Sequence, residues 1–158
     1  MIMTILKIVI VCVVMVGLII QSGCVRGSPV FKNAANYFDR KETEETKDAI
    51  SKSVELQTLD LRCTELPFIN ESRLVKLSLS RKSHAKLFYY YESETKTQDL
   101  KNAHHDFLMT GGWKLLSQGN NFEDDYAEYA MENFRISVFY RPGVEGKYSV
   151  ACEDVNLK

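Results

Sequence analysis

The chain has 158 residues, 20 of them Lys or Arg against 21 Asp or Glu, and 45% are hydrophobic. Such a length and composition suit one modest domain with appendages and exclude several large ones. Acidic and basic residues interleave from Arg40 to Lys158, so there is no basic stripe to displace phosphate counterions, and a nucleic-acid partner is set aside.

The first 24 residues place a single Lys7 before an apolar run at residues 8–20, followed by Gln21, Ser22, Gly23 and Cys24. This is the layout of a signal peptide. Thirteen residues make about 20 Å of helix, short of the roughly 30 Å hydrocarbon core. Ser22, Gly23 and Cys24 resemble the lipobox of bacterial lipoproteins. That resemblance implies cleavage after residue 23, lipid on Cys24 and anchoring to a bacterial membrane, since several acyl chains hold a protein stably where one does so only marginally. An uncleaved signal anchor and a cleaved, unlipidated secretory leader are the alternatives.

Residues 24–53 are expected to form a polar tether: Asp39 to Asp48 is dense in charge and few bulky apolar residues follow Phe38. The globular part is then residues 54–158. With Cys12 in the apolar run and Cys24 consumed by lipid, Cys63 and Cys152 remain. In an oxidising envelope they are expected to pair. Closing a loop of roughly 90 residues is worth about 4 to 5 kcal/mol on the chain-entropy account. The alternative is two separately buried thiols.

Leu59, Leu61 and Cys63 alternate with Asp60 and Arg62, which predicts a strand ending at Pro67. Val75, Leu77 and Leu79 repeat the alternation, and after a turn at Arg81 to Ser83 the aromatic run Phe88, Tyr89, Tyr90, Tyr91 predicts the second arm of a hairpin. Thr95 with Gln98 suits a capping box, and Leu100, Ala103, His104, Phe107 and Leu108 share a helical face before Gly111 and Gly112 stop it. Strands are expected from Trp113, from Phe134 to Tyr140, and around Tyr148 to Cys152. The whole reads as α+β: an antiparallel sheet with one principal helix on one face, preceded by the N-terminal signal or anchor helix. The run from YYYES through GGWKLL to the terminal hairpin resembles small exported bacterial domains of unknown function, a resemblance that implies no catalytic residues.

His104 and His105 are neighbours about 100° apart on a helix and are poorly placed to share a metal. His104 is expected in the core and His105 in solvent. Glu123, Asp124, Asp125 and Glu128 lack the spacing of a calcium loop and read as a solvated hairpin loop. No nucleophile-elbow, zinc-protease, phosphate-loop or dinucleotide motif occurs, so no catalytic residue, metal or cofactor is assigned. An exported enzyme with an unrecognised site stays open as the alternative. The candidate binding surface is Phe88, Tyr89, Tyr90 and Tyr91, whose rings alternate between the two sides of a strand; a single helix leaves one side for an envelope protein or glycan.

If Cys24 carries the lipid, Cys24→Ala moves the protein from the detergent to the aqueous phase in phase partitioning. Unchanged partitioning would instead favour an apolar helical anchor, which needs no cysteine.

Overall fold

A computed structural model of the chain describes residues 29–82, 84–120 and 124–157; the leader and Cys24 lie outside them. The chain divides into two units, Met1–Phe38 and Asp39–Lys158, within its first described helix, α1 (Pro29–Ser51). The described part of the first unit is the start of that helix, which ends in the exposed rings of Tyr37 and Phe38.

Six strands form one antiparallel sheet in the second unit: β1 (Arg73–Ser80), β2 (Lys86–Glu92), β3 (Lys114–Asn120), β4 (Asp125–Met131), β5 (Phe134–Tyr140) and β6 (Lys147–Asp154). Their order is β1-β2-β6-β5-β4-β3. The last strand in sequence thus joins the first hairpin to the β3–β4–β5 meander. Register puts Leu87, Tyr89 and Tyr91 beside Cys152, Val150 and Tyr148, and these beside Ile136, Val138 and Tyr140. Those nine residues are all buried. Period-two alternation gathers them on one face because successive strand side chains point to opposite sides.

Two helices cover that face, where the sequence predicts one. α2 (Val54–Thr64) begins at Ser53, whose Oγ accepts from the Leu56 amide at 3.2 Å, an N-cap bond. Its buried residues are Leu56, Leu59 and Cys63, a helical stripe at i, i+3 and i+7. The expected strand at residues 59–63 is therefore a helix, and Leu61, which a strand would have buried with Leu59 and Cys63, is 61% exposed. Cys63 and Cys152 are disulfide-bonded with α-carbons 5.8 Å apart. The bridge staples a helix to a central strand rather than joining two strands.

α3 (Thr97–Thr110) buries Leu100, His104 and Leu108. The expected capping box is absent: the N-cap is Lys96, with no side-chain cap bond. Glu145, in the turn between β5 and β6, instead accepts from the Thr97 amide at 2.9 Å. That turn can approach because residue 146 is glycine. Its φ is +69°, and a β-carbon there would stand 1.9 Å from the Ser93 carbonyl oxygen.

Residues 39–51 depart furthest from expectation. In place of a solvated tether they continue α1, with Thr43, Thr46 and Ile50 buried. Thr43 Oγ1 donates to the Asp39 carbonyl at 2.8 Å and accepts from the Leu77 amide at 3.0 Å. Leu77 lies on the edge strand β1, so the helix satisfies a ladder donor that has no strand partner. Lys76 reinforces the contact, its Nζ 2.8 Å from Glu42 and 3.0 Å from Asp39. The Glu42 carboxylate first, then Asp39, raises the Lys76 pKa.

Of the residues expected on the apolar face of α3, Leu100 and Leu108 are fully buried and Phe107 is 42% exposed, while Trp113, just beyond the helix, is 7% exposed. Leu108→Ala should accordingly cost about 2 to 5 kcal/mol in denaturant unfolding, and Phe107→Ala under about 2 kcal/mol. Equal losses would show that the helix lies on a different face.

Candidate functional site

The helix-covered face carries several polar ring atoms, and most of them have hydrogen-bond partners. His104 Nε2 lies 3.0 Å from the Pro67 carbonyl, and Nδ1 lies 2.8 Å from the Tyr140 hydroxyl. A carbonyl can only accept, so Nε2 carries the proton, and the neutral ring accepts from Tyr140 through Nδ1. Burial lowers the His104 pKa, opposed by its hydrogen bond to Pro67. The histidine is thus a satisfied core residue that ties the loop after α2 to α3 and β5.

Around it, Tyr89 donates to the Asp60 carboxylate, and Tyr148 donates to Ser72 Oγ at 3.0 Å. Tyr91 stacks on Tyr148 with ring centroids 5.2 Å apart. Burial raises the pKa of Tyr89, Tyr91 and Tyr140, so these hydroxyls stay protonated. Tyr89 and Tyr91, two of the four residues singled out for binding, are therefore structural.

The opposite face carries Phe88 and Tyr90. Among the described residues no helix covers it, apart from the α1 contact with Lys76 at its edge. Phe88 is half-buried under Lys86, whose Nζ is 5.8 Å from the ring centroid. Tyr90 is 40% exposed. Register sets Tyr90 beside Ser149, Ser149 beside Phe139 and Phe139 beside Tyr126. Two rings therefore flank a hydroxyl floor, separated by two inter-strand spacings, roughly 9.6 Å. The slot holds about 240 Å³, with Glu92, Asp124, Arg141 and Lys147 at one end. Lys147 Nζ is 3.0 Å from Glu92, and Arg73 also pairs with Glu92. These cations hold the Glu92 carboxyl below its usual range, the Lys147 hydrogen bond being the larger cause. Sequence reasoning missed Phe139, Tyr126 and Ser149, because only strand pairing brings them to Tyr90.

A second concavity, of about 690 Å³, opens between α3 and the β3–β4 hairpin. Lys101, Asn102, His105 and Asp106 line one wall and Gln118, Asn120, Asp125 and Ala127 the other. Asp125 and Glu128, expected in a loop, are strand residues of β4. Lys101 pairs with Asp125, which also accepts from Asn120 at 2.6 Å; the lysine bond, chiefly, lowers the Asp125 pKa. His105, expected in solvent, is half-buried with Nδ1 2.9 Å from the Tyr129 hydroxyl. Among the described residues, the cleft is lined by no Ser, Thr or Cys that a base could activate. Among the described residues no three His, Cys, Asp or Glu side chains converge as metal ligands, and no helix is long and apolar enough to cross a membrane.

Set against known proteins, the chain matches no family model, no curated protein and no solved structure.

The lowered pKa of His104 fixes the sign of one pH effect. The unfolded chain, with a His pKa near 6.5, takes up a proton that the folded ring refuses, so stability from this residue is present above about pH 6.5 and falls as the pH drops below it. Between about pH 7.5 and 5.5, above the range in which exposed carboxylates titrate, the thermal midpoint of the native chain should fall more than that of His104→Gln. Parallel curves would mean that the buried imidazole does not govern acid sensitivity.

Proposed function

We propose that the protein is a lipid-anchored binding domain of the bacterial cell envelope, tethered through Cys24, whose uncovered sheet face docks another envelope protein without catalysing a reaction. The single observation carrying this reading is the row of rings on that face. Tyr90, Phe139 and Tyr126 stand where no described helix lies, and the rings of Tyr126 and Phe139 are 6.4 Å apart.

The anatomy around the row favours a protein as occupant. An apolar centre is bounded by opposed charge pairs: Lys86 with Glu153 at 2.9 Å, Lys147 with Glu92 at 3.0 Å, and Arg135 facing Glu128. An apolar centre within a polar rim is the usual layout of a protein interface, and tyrosine is favoured there because its ring is large and its hydroxyl finds partners. The slot between Tyr90 and Phe139 is sized for one inserted side chain. By contrast, most of the titratable groups on the helix-covered face bond to one another, which leaves little there for chemistry. The leader supports placement of the domain outside the cytoplasm, and the Cys63–Cys152 bridge fits an oxidising compartment.

The test uses the full chain in its own membrane, with Tyr90 replaced by the photo-crosslinker p-benzoylphenylalanine. Irradiation should give one discrete adduct with a second envelope protein, lost when Phe139→Ser is added. The same group at Leu61, exposed on α2, should give no such adduct. Adducts formed equally from both positions, or only with other copies of the chain, would sink the reading.

A further inference from the structure

Along the β3–β4 hairpin the core-facing positions change character halfway. At the end next to Trp113, Leu115 pairs with Tyr129, and Met131 lies beside Phe134; all four pack into or against the core. Towards the other end the same face carries Ala127 opposite Gln118 and Asp125 opposite Asn120. A strand face that turns from apolar to small and polar while still facing a helix forgoes burial it would otherwise gain. Such local breaks of pattern are expected at functional sites. Here the break coincides with the cleft of about 690 Å³, within the usual range of small-molecule sites.

We infer that this cleft is a binding site for a neutral, hydroxyl-rich ligand, an oligosaccharide chain. The inference is independent of the sheet-face reading, because the two surfaces lie on different sides of the sheet. Charge selects the class. Lys101 is spent on Asp125, so among the described residues the cleft offers no spare lysine or arginine to an anion, and Asp106 faces it as an acid. A phosphate or carboxylate ligand would meet repulsion. The lining is too rich in amides and charged groups to favour an apolar ligand.

What it does offer is paired donors and acceptors. The Asn102 side-chain oxygen accepts from Gln98 at 2.9 Å, which leaves its two N–H groups, and Gln118 has a free donor and acceptor among the described residues. His105 uses Nδ1 on Tyr129, leaving Nε2. Amides that both donate and accept match sugar hydroxyls, which do the same. Asn102 and Asp106 follow one another at i and i+4 on α3, as Lys101 and His105 do, so the helix presents them as two adjacent rows.

The test is a calorimetric titration of the full chain, held in a sugar-free zwitterionic detergent, with chitotriose, cellotriose and maltotriose up to about 10 mM, followed in parallel by amide correlation spectra. At least one trisaccharide should bind with Kd near or below 1 mM, shifting the signals of His105, Gln118 and Asn120 while leaving those of Tyr90 and Phe139 in place. Asn102→Ala and Gln118→Ala should each weaken binding about tenfold without moving the thermal midpoint, since both side chains are exposed. Three outcomes would overturn the inference: no shift of the cleft signals with any of the three sugars, binding that survives both substitutions, or a galacturonate trimer that binds as tightly as the neutral ones.

Discussion

Strand β6 hydrogen-bonds on both sides, and the rest of the fold depends on those two ladders. On one side it pairs with β2 from Lys86↔Glu153 to Glu92↔Lys147, and on the other with β5 from Phe134↔Asp154 to Tyr140↔Tyr148. Without it the β1–β2 hairpin and the β3–β4–β5 meander would be separate pieces, each too small to bury a face. The disulfide adds a third restraint, because Cys152 on β6 holds Cys63 and with it α2. These contacts span most of the domain, so loop closure must precede their reward, a condition that slows folding and raises the worth of a covalent staple.

The two faces of the sheet have opposite economies. On the covered face, polar groups are admitted only with partners: Asp60 with Tyr89, His104 with Pro67 and Tyr140, Ser72 with Tyr148. An unpaired donor or acceptor there would cost about 1 to 3 kcal/mol, so the network also specifies how the helices sit. On the other face, Phe88, Tyr90, Phe139 and Tyr126 stand among Ser149, Ser137 and Ala151. Ala151 and Ser137 are buried there between larger neighbours, while Tyr90 remains available. Alternation along single strands therefore makes one face a core and the other a surface of rings with charged margins.

The sheet's two edges are also treated differently. α1 closes the β1 edge through Thr43 and the Lys76 pairs. At the other edge no described helix contributes such bonds, and β3 carries a register shift between Leu115 and Ser117, as β1 also does between Leu74 and Lys76. Bulges of this kind bend a strand and interrupt its regular ladder, a common way to blunt an edge. The interior of the β3–β4 end is where the polar cleft forms, because α3 does not extend over it with apolar residues.

Local patterns determined much of the outcome. The alternation of Val75, Leu77 and Leu79, the Phe88 to Tyr91 run and the Gly111–Gly112 stop acted at short range, so the β1–β2 hairpin, α3, β5 and β6 were legible along the chain. The same holds for the cysteine pair and for His104 as a core residue on the apolar face of α3. Where a segment carried two periodicities, local reasoning failed. Leu59, Leu61 and Cys63 read as a strand, while Leu56, Leu59 and Cys63 fit a helical stripe, and the Ser53 cap together with burial of Leu56 rather than Leu61 marks the helix. Thr43, Thr46 and Ile50 gave too weak an apolar stripe to announce a packed helix, because Thr43 is held by the Leu77 amide rather than by hydrophobic burial. The slot of Tyr90, Ser149 and Phe139 and the cleft of Asn102, His105 and Gln118 were decided by tertiary structure alone. Their members lie tens of residues apart or on facing elements, and strand order and helix placement are what bring them together.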